Sequence, residues 1–192
     1  MFYVLYSFVI YAFGVHFNRL FLLYCLILGL SLYAFIVFMQ EANHRKVETW
    51  FGAVTPVRTT AAYLLAVAAL FYLLWLKDTL PAVLADTVPT TVSDYGLLVN
   101  PVHVIDMAVV LPGLILIARL LLKRRRLGFI LAPLALAFTV ILAIALAAMV
   151  VAVKVEGIAE DLSIAFIFTV LALISTLILV LMLRNLKRST GE

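Results

Sequence analysis

Residues 121–153 read LLKRRRLGFILAPLALAFTVILAIALAAMVVAV: four consecutive cations, one leucine, then 26 residues (128–153) without a charge. A hydrocarbon core of about 30 Å is crossed by roughly 20 apolar residues in a helix. The segment therefore predicts a transmembrane helix with a basic anchor at one end. The whole chain agrees, because 67% of its 192 residues are hydrophobic and 12% are charged. Soluble domains carry about 45–50% apolar and about 25% charged residues, so a water-soluble globular enzyme is excluded.

Working outward, four more runs are long enough to span: 21–39, 56–76, 101–122 and 163–183. A sixth, 1–17, is apolar and aromatic but short, and its first charge is Arg19. It reads as a whole span, a truncated one or a helix lying in the interface. The expected fold is all-α, a polytopic transmembrane helical bundle of about six spans forming one integral membrane domain, 1–192. The intervening segments 40–55, 77–99 and 154–162 are polar and belong in water or headgroups, since irregular backbone in hydrocarbon leaves peptide groups unpaired. Thr55-Pro56 and Asn100-Pro101 each read as an N-cap followed by a first-turn proline.

Charge sets the sidedness. With alternating spans and both termini cytoplasmic, the inner side receives Arg45, Lys46, Arg58, Arg119, Lys123, Arg124, Arg125, Arg126, Arg184, Lys187 and Arg188. The outer side receives Arg19, Lys77 and Lys154, a strong positive-inside bias. Asp78, Asp86, Asp94, Glu156, Glu160 and Asp161 make the outer face acidic. Those acids either fill loops where cations are disfavoured or form a vestibule that attracts cations. Lys123, Arg124, Arg125 and Arg126 read as a topology anchor, with anionic lipid headgroups as the other reading. Arg119 is expected to snorkel to the same interface.

The net charge of +4 flanks apolar runs rather than forming a stripe, so the expected partner is the lipid bilayer and not nucleic acid. Cys25 stands alone, which excludes an intrachain disulfide and a thiolate cage. No basic n-region precedes the first apolar run, so no cleavable signal is expected. Metalloprotease, nucleophile-elbow and phosphate-loop motifs are missing, and no cofactor is expected.

Small residues let helices approach in lipid, and Ala143/Ala147 and Ala148/Ala152, with Ala145 between them, predict a central, closely packed fifth span. Pro112 predicts a kink in the fourth span. Pro133 either does the same in the fifth or sits in its first turn. Trp50, Tyr72 and Trp75 read as an interfacial belt. The rings of Phe2, Tyr3, Tyr6, Phe8, Tyr11, Phe13 and Phe17 read as lipid-facing packing, with a ring-lined pocket as the alternative. No internal repeat argues for an inverted-repeat transporter.

The polar cluster is Asn100-Pro101-Val102-His103-Val104-Ile105-Asp106. Asn100, His103 and Asp106 are three apart and share one helix face near the outer end of the fourth span. An ionisable group inside a span is a functional candidate by default. Asp106 beside His103 predicts an oriented imidazole able to accept a proton. The plainer reading makes Asn100 a cap, His103 an interfacial ring and Asp106 a partner for a neighbouring helix. A metal or haem reading needs another donor, and His16 is the only histidine also expected outside; His44 falls inside. Glu41, His44 and Glu48 share a face but have no partner motif.

The segment NPVHVIDMAVVLPGLI, followed by KRRRLGFILAPLALAF, resembles a group of bacterial multipass membrane proteins without an assigned function, over roughly 21–151. Its most specific part is Asn100 to Asp106 with Leu111-Pro112. Members carry a longer apolar N-terminus. The resemblance implies a bacterial cytoplasmic-membrane protein and supplies no activity. Three functions remain open: binding or passing a small ligand or proton at the outer helix ends, a non-catalytic subunit or scaffold in a homo- or hetero-oligomer, and an enzyme acting on a lipid or quinone with His103 as base.

Overall fold

Each long apolar run folds as a helix, because a backbone in hydrocarbon must satisfy its own N–H and C=O groups. The computed structural model describes residues 1–45, 47–52, 55–157, 162–184 and 186. In order these form α1 (Phe2–Gly14), α2 (Phe21–His44), a 3₁₀ turn (Val47–Trp50), α3 (Val57–Leu84), a short α4 (Thr90–Ser93), α5 (Pro101–Ile105), a π-helical turn (Asp106–Val110), α6 (Leu111–Leu122), α7 (Arg126–Val155) and α8 (Ser163–Leu183). α5, the π turn and α6 are one continuous span, Pro101–Leu122. Five helices are therefore long and apolar enough to cross a membrane: α2, α3, this composite span, α7 and α8. This is a multi-pass, all-α bundle, and no β-strand occurs among the described residues.

α1 differs. Its 13 residues reach about 20 Å at 1.5 Å per residue, two-thirds of a hydrocarbon core. Gly14 packs against the Pro101 ring, while Phe2 shares an apolar wall with Val109, Gly113 and Ile117, halfway down the composite span.

Several boundaries move from their expected places. α3 continues through Leu84 with Pro81 inside it, so 77–84 is helix rather than loop. α2 runs to His44. α7 starts at Arg126, which makes Pro133 an interior proline and not a first-turn one. α3 begins one residue late: Pro56 occupies the cap position and Thr55 contributes no capping bond. Asn100 does cap as expected, accepting from the N–H groups of Val102 (3.0 Å) and His103 (3.4 Å). Lys46, Glu160, Asp161, Lys187 and Arg188 lie outside the described residues.

The core lies between α3, the composite span, α7 and α8, where Ala61, Leu64, Ala118, Leu121, Ala132, Leu136 and Met182 are fully buried. α7 is the central element, packed along α8 and α6 and touching α1 and α2. Its packing face is displaced from the expected alanine pairs toward the basic end. Gly128, Ala132, Ala135, Thr139 and Ala143 are buried, while Ala152 is exposed. α1 and α2 form a lateral layer joined by rings: Tyr11 stacks on Tyr24 at 5.5 Å, and Phe2 and Tyr6 meet Phe138 edge-on at 5.0 and 5.2 Å. The N-terminal rings are thus divided, Tyr6 buried at 6% and Phe13 and Phe17 bare to lipid at 79% and 84%.

The bundle also sorts charge by end. At the basic end, Arg126 pairs with Glu48 (Nε to Oε2, 3.2 Å) and donates to the Asn43 carbonyl (2.6 Å). Phe51 stacks on Phe129 at 5.0 Å and bridges Leu186. Arg126 is therefore a tie between α2, the 3₁₀ turn and α7, whereas Lys123, Arg124 and Arg125 are exposed. The α6–α7 turn closes with Arg125 N–H on Leu120 O and Arg124 N–H on Leu121 O, both 2.9 Å, and puts Arg124 at φ 50° where glycine is usual. Since the pair is about one-third exposed, Arg126→Ala should cost only about 1 kcal/mol. A small fall in detergent melting temperature checks this, and a collapse of the fold would contradict it.

Candidate functional site

Two period-three stripes meet near the acidic end. α3 runs toward it and presents Tyr72, Trp75 and Asp78; the composite span leaves it and presents Asn100, His103 and Asp106. Because the helices are antiparallel, the stripes interleave in opposite order. Trp75 lies between the other two, its indole N–H donating to Asp106 Oδ2 at 3.0 Å and its ring against the His103 imidazole with centroids 4.5 Å apart. Tyr72 and Trp75 thus turn inward as donors, half-buried on the α3 face.

Asp106 is not the orienting partner of His103 that the spacing predicts. Its Oδ2 is taken by Trp75, and the carboxylate that shares a pocket with His103 is Asp78. That pocket opens at the acidic end, holds about 280 Å³, and is lined by Leu74, Trp75, Lys77, Asp78, Thr91 and His103. Thr91 donates to Asp78 at 2.8 Å, fixing its carboxylate at the rim. Asn100 contributes by capping α5, which leaves its side chain on the backbone rather than in the pocket.

Asp106 itself is 4% exposed. Tyr6 of α1 is the other donor near its carboxyl, yet Oδ1 has no hydrogen-bond partner among the described residues. A buried carboxyl oxygen left unpaired is costly, which makes it a place to look for function. Beside it lies a cavity of about 20 Å³ whose wall includes Asp106, Thr139 and Leu171. That is room for one water and too little for a lipid or quinone head.

The π turn explains how the span places this residue. Leu111 N–H reaches back five residues to Asp106 O. In that register the next N–H would serve Met107 O, but residue 112 is proline and has none. Tyr72 takes its place, its hydroxyl donating to Met107 O at 3.2 Å. The expected kink is thus a π bulge, a feature often found at functional sites.

His16 and His103 are not brought together. His16 sits on the pocket between α1 and 96–105, with Val104 and Ile105, while His103 faces α3. Among the described residues no three His, Cys, Asp or Glu side chains gather as a metal site. Tyr6, Tyr72, Trp75 and Thr139 were not legible as site residues. The one available signal was the i, i+3, i+6 series Tyr72, Trp75, Asp78, which mirrors Asn100, His103, Asp106. No family model, curated protein or solved structure matches the chain.

Proposed function

We propose that this membrane protein takes up a proton at the acidic end of its bundle, with Asp106 as the acceptor and the His103–Asp78 pocket as the approach. The observation that carries the reading is the buried Asp106 carboxyl, with Trp75 on Oδ2, Tyr6 alongside and a one-water cavity next to it. Of the two spaces beside Asp106 and His103, the outer one alone has room for a ligand larger than water, and the size of the inner one weighs against chemistry on a lipid or quinone at Asp106. The cation excess at the opposite end supports a cytoplasmic position for that end, and with it uptake from outside. The resemblance noted for Asn100 to Asp106 extends this to a bacterial inner membrane.

The groups that face Asp106 are few: Tyr6 from α1, Trp75 from α3, Thr139 from α7, and His103 one turn along its own helix. The test is an infrared pH titration of the purified protein in lipid. A carboxyl C=O band should titrate in the wild type, vanish in Asp106→Asn and persist in Asp94→Asn, a loop control. Identical difference spectra for wild type and Asp106→Asn would end the proposal.

A further inference from the structure

Seven polar side chains are buried among the described residues: Ser31, Thr55, Thr60, His103, Asp106, Thr139 and Ser175. Ser31 belongs to lateral α2 and bonds back to Ile27 O and Leu28 O. The other six are on or beside the helices of the core. At 1.5 Å per residue, heights above the basic end are about 5 Å for Thr60, 9 Å for Tyr63, 12 Å for Ser175, 20 Å for Thr139 and 24 Å for Asp106. In height they follow one another along the bundle axis.

Contacts join the middle of this series. Tyr63 and Ser175 share a short hydroxyl–hydroxyl hydrogen bond between α3 and α8. The two hydroxyls have one proton each, so one proton serves this bond and the other is left for Leu171 O, which lies 3.3 Å from the Tyr63 hydroxyl and 2.8 Å from that of Ser175. Leu171 walls the cavity that Asp106 and Thr139 line. Thr60 is one turn from Tyr63 on the same face of α3, and Thr55 lies just before that helix. Three buried side-chain atoms lack a hydrogen-bond partner among the described residues: Asp106 Oδ1, Thr60 Oγ1 and Thr55 Oγ1. All three belong to this series, one at its top and two at its foot. Buried polar atoms not paired within the protein take their partners from internal water.

We infer that the file Asp106, Thr139, Ser175, Tyr63, Thr60 and Thr55, with water between its members, carries protons through the bundle from the acidic to the basic end. This rests on the reading of Asp106 as a proton acceptor and extends it from binding to transfer. In each step an oxygen accepts a proton as its own O–H bond breaks toward the next oxygen. One proton enters at Asp106, one leaves beyond Thr55, and no electrons change hands. Trp75 stands at the entrance, bonded to Asp106 and lining the outer pocket, but its indole is a donor only and is not itself a member of the relay.

The experiment uses the full chain in proteoliposomes with a trapped pH dye, a potassium gradient and valinomycin. Wild type should acidify the lumen roughly tenfold or more faster than empty vesicles, and Thr60→Val and Ser175→Ala should each remove most of that flux. Both should keep the titrating Asp106 band, which also shows that they fold. Ser31→Ala should conduct like wild type. Wild-type flux at the empty-vesicle rate beside a titrating Asp106 band would overturn the file and leave the binding reading standing. So would wild-type flux in both hydroxyl variants. Loss of the band in wild type would instead remove the binding reading itself.

Discussion

Gly128→Ala should destabilise the protein more than any other single methyl addition to a helix here. A Cβ at this position would fall into the backbone of Leu120 and Leu121, where α7 crosses α6 immediately after the turn. Backbone cannot step aside as a flexible side chain can, so the cost belongs at or above the top of the usual range for overpacking, about 3 kcal/mol. For a chain of this size that corresponds to a fall of about 10 °C in apparent melting temperature. Gly29 and Gly113 supply the contrast. Both are inside helices, and a Cβ on either meets nothing within 4 Å. Gly29→Ala and Gly113→Ala should be neutral or stabilising by up to about 1 kcal/mol through helix propensity alone. Thermal unfolding followed by fluorescence-detected size exclusion distinguishes them. Equal melting temperatures for Gly128→Ala and Gly29→Ala would refute the close α6–α7 crossing.

These glycines also show what sequence can and cannot say about such a fold. Span number and charge sorting were legible, because lipid demands long apolar helices and translocation resists clustered cations. Which face of each helix turns inward was much less so. In lipid a leucine gains little by facing protein rather than acyl chains, and Leu64 and Leu73 look alike in sequence although the first is fully buried and the second 69% exposed. The candidate site divides on the same line. Asp106 stood out because an ionisable group in a span is rare, and Asn100-Pro101 announced a cap. Trp75 and Tyr72 were hidden because a ring near a span boundary is ordinarily an interfacial anchor. Only the facing stripe on the partner helix reveals them as donors. Thr139 was hidden because a lone threonine in a span bonds its own helix, as it does here to Ala135 O at 2.9 Å. Its second role depends on the cavity beside it.

Pro112→Ala should separate stability from the placement of Asp106. In the wild type the proline denies Met107 O its helical partner, Tyr72 supplies one, and the bulge holds Asp106 toward Trp75. Alanine restores the N–H and removes the ring, which favours closing the bulge into regular α-helix. Losing one residue of offset turns α5 relative to α6 by about 100°. Asp106 and His103 would then leave the α3 face together, and the indole bond would break. The expected result is a protein at least as stable as wild type, since proline inside a helix costs about 3 kcal/mol. Its Trp75 emission should shift, and its Asp106 infrared titration should fall to a small fraction of the wild-type amplitude. Tyr72→Phe tests the other half of the same device. It leaves the proline in place but strips Met107 O of its donor, so it should lower stability by roughly 1–2 kcal/mol while the Asp106 band survives. The opposite pairing, an unaltered band in Pro112→Ala and a lost one in Tyr72→Phe, would mean that Tyr72 rather than the bulge positions the carboxyl. The π turn would then be a packing accident of the proline with no part in the chemistry.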